Sequence, residues 1–577
     1  MPTLVSAGSP GLPESARPGA LRPGEDRPTA PPKPAEEVLE VPALIDRPLD
    51  IDEGPKVVVE KFELAGAVER PEHDVRLSEI KTILEEQRQQ RPEGFTIGRL
   101  DEVADAVTQY YRERGLILAQ AVVPVQTVED GVVKVEVIEG RLGRILTEGN
   151  AMYDADLLRE PFEDLIGKPV TKAEVEAALL TLTDFPGLSI FGVFQPGQKV
   201  GEADIVLKVQ EEDRFDFSLR VDNHGTPETG RRRARPSVEW NNPTGAADRL
   251  TLTGQVTHDP QNSKFFSIDY ERYFGNGFRG GTFITRNSFD VGGEFADREI
   301  SATTEQQGLY LDKTLIRSRA LNLSTRLGVT LKDSRTTQAL RQTNEDHLTV
   351  LSWETTYDAV DTRFSGLNFG TLELSHGFND TFGAMGSSFD ASQRQPGDRP
   401  SRQGGPPDSE FASGRFNKVF GTFSRLQTVT QQTSLLLRAE AQWSPDLLVP
   451  LEQYSIGGPD NVRAFGPAEA LFDKAIFLSA EYIINAPFFA DKPAFANRTW
   501  GELLQFSVFY DFATGENNEP LTNEPQGLQD FHGAGWGLRF NLPGSVESRF
   551  LMAWDFGDTD PDNDRDPQIW ADVTFRF

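Results

Sequence analysis

Two hydrophobic periods divide this chain. Between residues 57 and 212 apolar positions recur at helical spacing, with short alternating runs between them. Val57 to Leu64 reads as a strand. A helix is expected over Leu77 to Gln90, where Leu77, Ile80, Ile83 and Leu84 make one face, and a second over Ile97 to Arg114, carrying Leu100, Val103, Val107 and Tyr110. Gly115 follows as a C-cap. Two strands close the unit, Leu116 to Val123 and Val132 to Ile138, joined through the hairpin signal Asp130-Gly131. The same order then recurs. A strand lies at Arg144 to Thr147, helices at Ala155 to Leu165 and Lys172 to Leu182, and strands at Leu188 to Phe194 and Ala203 to Gln210. A period of about 75 residues implies two tandem copies of one small α/β module, at 57–141 and 142–212. Residues 1–54 are rich in Pro, Gly, Arg and Glu, as in Arg22-Pro23-Gly24-Glu25-Asp26-Arg27-Pro28, and read as a Pro-rich disordered linker.

From Phe215 to the end the helical period is gone. Segments of about ten residues alternate apolar and polar positions, separated by turn chemistry. Some connections are short, such as Asn242-Pro243-Thr244-Gly245, Phe274-Gly275-Asn276-Gly277 and Pro543-Gly544-Ser545; others are long and polar, notably 381–415 and 447–474. The last segment shows the pattern clearly. Ile569, Ala571, Val573, Phe575 and Phe577 share one parity; Trp570, Asp572, Thr574 and Arg576 share the other. About sixteen such strands, with short and long connections roughly alternating, predict a transmembrane β-barrel over 213–577. A propeller would repeat in four-strand blades, and no such period is present.

Composition narrows the functions. The chain of 577 residues has no cysteine, which removes disulfides, thiolate metal sites and Cys nucleophiles. It has six histidines, none paired at H-x-x-x-H spacing, and no metal or cofactor site is expected. A net charge of −31 argues against nucleic acid as a partner. No apolar run reaches the roughly 20 residues of a membrane helix, a test that does not bear on a barrel. The first residues, M-P-T-L-V-S-A-G-S-P, lack the basic start and apolar centre of a secretion signal. That keeps a soluble all-β protein open as an alternative. No nucleophile elbow, phosphate loop or H-E-x-x-H occurs, so no residue is nominated as catalytic and the protein is not expected to be an enzyme.

One loop stands out: Gly457-Gly458-Pro459-Asp460-Asn461-Val462-Arg463-Ala464-Phe465-Gly466, between the eleventh and twelfth strands. It resembles the V-R-[GA]-[FY] loop of the outer-membrane transporters of two-partner secretion, the haemolysin secretion/activation family, where it folds back into the lumen. Ala464 stands where Gly is frequent. The resemblance extends to the periplasmic POTRA signatures: Pro124, Gln126, Asp130, Gly131 and Gly140 in the first module, and Pro186, Gly187, Pro196 and Gly197 in the second. Phe509 to Gly515 resembles the family's aromatic-x-Asp-x-x-x-Gly strand, Glu481 falls where the family has an acidic residue, and Phe577 fits the terminal signal for barrel insertion. Asp511 shares parity with Ser507 and Phe509, opposite Phe506, Val508 and Tyr510, which turns it inward. An inserted Arg463 needs a fixed carboxylate. The expected pairing is Arg463 with Asp511, and Glu481 as second partner.

The resemblance implies a mainly β fold, two POTRA domains in the periplasm and an outer-membrane pore that exports an unfolded exoprotein, captured through its N-terminal secretion domain (type V secretion). Capture by β-augmentation on a POTRA edge, with Leu116 to Val123 a candidate, suits such a client. Outer-membrane lipid, lipopolysaccharide and the barrel assembly machinery are the other expected partners, with the protein a monomer. The alternative within the superfamily is an assembly factor for other barrels. Two weaker signals stay open. Asp558, Asp560, Asp562, Asp564 and Asp566 alternate, as a solvated loop or a cation site; Arg231, Arg232, Arg233 and Arg235 suit lipopolysaccharide phosphate, the lumen or neither.

Overall fold

A computed structural model of the chain describes residues 14–23, 30–32, 35–41, 52, 54–258, 260–406, 409–522, 525–562 and 565–577. Two compact units emerge, one holding the α/β modules and the other the barrel.

In the first module Val132–Ile138 is the central strand. It runs parallel to Lys61–Ala65 and antiparallel to Gln120–Val122. Helices Leu77–Gln90 and Ile97–Glu113 cover one face, and Val103, Val107 and Tyr111 join Val133 and Val135 in the core. The expected strand over Leu116 to Val123 is shorter, because Leu116 still donates to the carbonyl of Tyr111, a helix-terminal bond. Leu116 and Ala119 are core residues rather than alternating ones. Asp130 and Gly131 both have positive φ, as a two-residue hairpin turn requires. At Gly140 φ is +66°, and a Cβ would lie 2.2 Å from the carbonyl oxygen of Leu118, so only glycine fits. Gln126 replaces a strand neighbour: its amide donates to the carbonyl of Lys134 at 2.9 Å and accepts from that residue's N–H at 2.8 Å.

The second module repeats the plan, with Glu202–Glu211 central between Arg141–Glu148 and Leu188–Pro196. Its expected helix over Ala155 to Leu165 becomes an α-turn to Arg159 and a 3-10 segment over Glu160–Leu165, since Pro161 has no N–H to continue the ladder. Thr171 and Glu174 form a reciprocal capping box at the next helix, Lys172–Thr183. Pro186 accepts the Tyr153 hydroxyl, Gly187 accepts Glu212 N–H, and Gly197 N–H reaches Glu202. The pair Arg144–Asp204 is buried on its acidic side; hydrogen bonding from Arg144 holds that carboxyl below its ordinary range. Leu39–Glu40 adds a parallel strand to Leu188–Pro196, with Leu39 opposite Gly192 and Glu40 opposite Val193.

The barrel is a closed antiparallel sheet of sixteen strands, from Phe215–Asp222 to Gln568–Arg576. Outward positions are apolar and exposed, among them Ile284, Leu309, Leu311, Leu327, Trp353, Leu374, Ile476, Leu478 and Val508. Inward positions carry charges such as Arg326, Glu354, Glu373 and Asp511. The final strand meets the first through Asp572↔Asp222 to Arg576↔Ser218. Its two parities separate as expected: Ile569 and Phe575 face out, while Trp570 and Asp572 are buried inside. Phe577 extends the seam by exchanging backbone hydrogen bonds with Phe217.

Two expectations need correction. Within the first 54 residues, those at 14–23 are not an unstructured linker: Ala16 packs among Phe289, Val291, Ile300 and Ala302, and Ala20 against Ala468 and Leu471. Small side chains and the positive φ of Gly19, whose Cβ would strike Leu451, let this stretch lie close to the barrel's interior elements. The remainder of that reading falls partly outside the described residues. Short turns also do not hold throughout one end. The twelfth strand stops at Asn485, and 486–503 forms an elaborate turn in which Phe489 and Phe495 pack edge-on against Trp500 and a Thr499–Glu502 capping box starts a helical turn.

Candidate functional site: the loop inside the lumen

The connection 444–473 leaves strand eleven (Thr433–Trp443), folds into the barrel and returns to strand twelve (Lys474–Asn485). Its own short hairpin, Tyr454–Ile456 with Ala470–Phe472, stiffens it. At the tip Gly457 has φ +95°, and a Cβ there would sit 2.0 Å from the Gly466 carbonyl oxygen; the chain can double back only because none is present. Gly458 N–H bonds the carbonyl of Phe465 across this turn.

Arg463 emerges from the turn with 3% of its surface exposed. Its Nε and Nη2 meet the two Asp511 carboxylate oxygens at 2.8 and 2.7 Å, a bidentate fork, and its backbone N–H adds a third bond to Asp511. Nη1 donates to Glu481 Oε2 at 2.7 Å, and Nη2 also reaches Ser479 Oγ. The guanidinium lies 3.3 Å from the centroid of the Phe509 ring, adding a cation–π contact. Alternation along strands twelve and thirteen places Ser479, Glu481, Ser507, Phe509 and Asp511 on one inward wall. The three charged residues singled out from sequence are thus brought together. The apolar loop residues pack around them. Phe465 packs edge-on against Phe531, and Val462 and Ala464 are fully enclosed. Ala464 lies over Gly533, where a Cβ would come within 2.8 Å of its own, so a small residue is needed on both sides.

Other contributors lie beyond the motif. Trp570 donates from Nε1 to the carbonyl of Arg463 at 2.8 Å, tying the loop to the last strand. Arg539 supplies a second cation to Glu481 at 2.7 Å. Arg549 holds Asp460 and Asp572, and Asn461, Tyr454 and Glu440 form a hydrogen-bonded chain. Trp570 was visible as the single aromatic on the polar parity of its strand; the others carry no local signal. The basic run is divided by parity: Arg233 and Arg235 face inward, bonding Asp222 and Gln255. In the acidic run Asp562 N–H bonds Glu469; Asp564 lies outside the described residues, among which no three His, Asp or Glu converge as a metal site.

A sixteen-stranded barrel with an apolar exterior, an arginine loop in its lumen and two α/β modules before it defines the class: an outer-membrane barrel of the kind that handles polypeptides. The chain belongs to the haemolysin secretion/activation protein family ShlB/FhaC/HecB, whose model matches residues 201–493, and a ShlB-type POTRA domain model matches residues 58–140. It is similar to the heme/hemopexin transporter protein HuxB of Haemophilus influenzae, at 24% identity over 500 residues, 84% of this chain and 81% of that one. It is also similar to the outer membrane transporter CdiB of Escherichia coli, at 26% over 64% of this chain and 60% of the relative. The solved CdiB structure from Escherichia coli matches the fold with a TM-score of 0.67 at 21% identity, covering 92% of this chain and 93% of that one. The protein is a two-partner secretion transporter of the outer membrane, with its POTRA modules in the periplasm, and its role is export of a partner protein rather than assembly of barrels.

Proposed function

We propose that the client is a large exoprotein recognised in the periplasm through an N-terminal secretion domain, passed through the barrel lumen in extended form and released outside. The observation that carries this reading is the loop network: Arg463 is buried between Asp511 and Glu481 inside the barrel, so the loop occupies the route and must withdraw for a chain to pass. Val462, Ala464 and Phe465 seat the loop, while Arg463, Asp511 and Glu481 hold it shut. Such a network is reversible. Its charges are matched when the loop is in, and water in an opened lumen solvates them when it is out.

On the periplasmic side, the client's extended segment would add to the edge strand Gln120–Val122, which among the described residues pairs only with Val132–Ile138. The POTRA signature residues then act indirectly: Pro124, Gln126, Asp130, Gly131 and Gly140 hold that edge, and Pro186, Gly187, Pro196 and Gly197 shape the second module's turns. The apolar belt meets membrane lipid, with lipopolysaccharide at the outer rim. Phe577 serves as the terminal signal read by the barrel assembly machinery, and the barrel works as a monomer. No ATP site enters this account; folding of the client outside provides the direction of transport.

The test is secretion of a candidate large exoprotein from cells that carry it together with this protein. Deleting the transporter should abolish its appearance in the medium while other outer-membrane proteins assemble normally, and Val122→Pro on the edge strand should reduce it with the barrel intact. Normal secretion without the transporter would sink the export reading for that client.

A further inference from the structure

The lumen loop is gripped at a second place, far in sequence from Arg463. Glu452, at the loop's root, is 1% exposed and receives two ammonium groups. Lys332 Nζ stands 2.7 Å from its Oε1, and Lys418 Nζ bonds its Oε2. Lys332 comes from strand seven (Leu321–Gln338) and Lys418 from strand ten (Phe416–Thr430), so one carboxylate joins two strands that are not neighbours. Both lysines, with the inward Glu354 and Glu373, line a lumen cavity of about 550 Å³. Lys332 lies toward the end of its strand and Lys418 near the start of its own, so Glu452 is tied to the two lysines at the long-loop end of the barrel.

The surroundings fix the turn that carries Glu452. Arg22 of the N-terminal segment donates to the carbonyls of Pro450 and Gln453, on either side of it, at 2.9 and 2.6 Å. Gln442 donates to the carbonyl of Glu452 itself. Leu448, Val449 and Leu451 pack with Met385, Ala412 and Phe416, so Met385 and Ala412 of the long 379–415 connection rest on the same turn. Two lysines drawn together in a desolvated place repel each other unless the carboxylate is between them. Their position is therefore compatible with a closed loop or with a hydrated, open lumen, and unfavourable in between.

We propose that Glu452, Lys332 and Lys418 form a second lock at the loop's root, which must open together with the Arg463 tip before a client passes. These are positioning residues of the closed state, and Arg22 links the N-terminal segment to the same lock. The inference rests on passage through the lumen, so one test uses a client and the other does not.

The natural chain has no cysteine, so an introduced pair has no competitor. In full-length Glu452→Cys/Lys418→Cys, a reducible bis-methanethiosulfonate crosslinker long enough to span the natural ion pair should join the two thiols and cut secretion at least about tenfold, and a reductant should restore it. A crosslinked transporter that still secretes, or a pair that never crosslinks in a folded barrel, overturns the proposal. Independently, purified Glu452→Gln in planar bilayers should occupy the open state about tenfold more than the natural protein, with Lys418→Met showing a smaller rise in the same direction. Heat-modifiable gel migration identifies folded barrels beforehand. Unchanged open-state occupancy in folded Glu452→Gln overturns the lock even if the client assay fails for every protein, the natural one included.

Discussion

The tip and the root of one loop are held by opposite chemistry. At the tip a single guanidinium enters a wall of carboxylates on strands twelve and thirteen. At the root a single carboxylate sits between two ammonium groups from strands seven and ten. The loop thus presents Arg463 to one wall and Glu452 to another. The tip depends on direction, because a planar fork must match Asp511 in two bonds while the guanidinium also lies over the Phe509 ring. The root depends on charge count, because lysines are rotatable point charges. One end thus specifies where the loop sits, and the other how firmly it stays.

Mutations can separate these roles. The largest effect is expected for Arg463→Ala, which leaves Asp511 and Glu481 buried with less compensation. Breaking a buried pair from one side costs about 3–5 kcal/mol. The expected outcome is secretion reduced by two orders of magnitude or thereabouts and a noisy, more open channel. Asp511→Ala should resemble it, and the double variant should lose less than the sum of the two; strictly additive losses would separate the residues. Next comes the contrast in chemistry. Arg463→Lys should retain the charge yet fail at the tip by about tenfold in secretion, whereas Lys418→Arg should be nearly silent. Equal losses from both exchanges would erase the distinction between direction and charge.

Gly533→Leu should act sterically, pushing Ala464 off its seat for about 1–3 kcal/mol, and Ala464→Gly should partly relieve it. Trp570→Phe removes a hydrogen bond worth about 1 kcal/mol and should raise open-channel occupancy by several fold without abolishing secretion. The smallest effect belongs to a pair outside the membrane, Arg144–Asp204, whose cation is half-exposed. Its carboxyl titrates below the ordinary range, so its contribution is complete above pH 4 or so and fades as pH falls through the lowered value. Asp204→Asn should flatten that acid dependence in the isolated signal of the α/β modules, measured by hydrogen exchange, and leave the lumen locks unaffected.

The tip was legible from the amino-acid order because its chemistry is local. Gly457-Gly458 and Val462 to Phe465 lie in one loop, and parity alone turns Asp511 and Glu481 inward. The barrel was legible for the same reason, since each strand carries its own alternation. The root was not. Lys332, Lys418 and Glu452 are unremarkable apart, and only the closure of sixteen strands brings them to one point. Contacts of the N-terminal segment were hidden too, because its Pro- and Gly-rich composition matches that of a linker, and its packed side chains are few, chiefly Ala16 and Ala20 with Leu21 beside them. Pro161 shows a smaller version of the problem: helical periodicity persisted across it while the hydrogen-bond ladder changed type.

Withdrawal of the loop would leave an imprint of it on the walls. Strands seven and ten would keep Lys332 and Lys418 without their carboxylate; strands twelve and thirteen would keep Asp511 and Glu481 without their guanidinium, though Arg539 stays beside Glu481. Both signs would then face the channel on each side, with Glu354 and Glu373 lining the same cavity as the lysines and Arg539 beside Glu481. A polypeptide threading through it would meet partners for both its acidic and its basic residues along the way, so its charge order, and not only its bulk, would set how smoothly it slides.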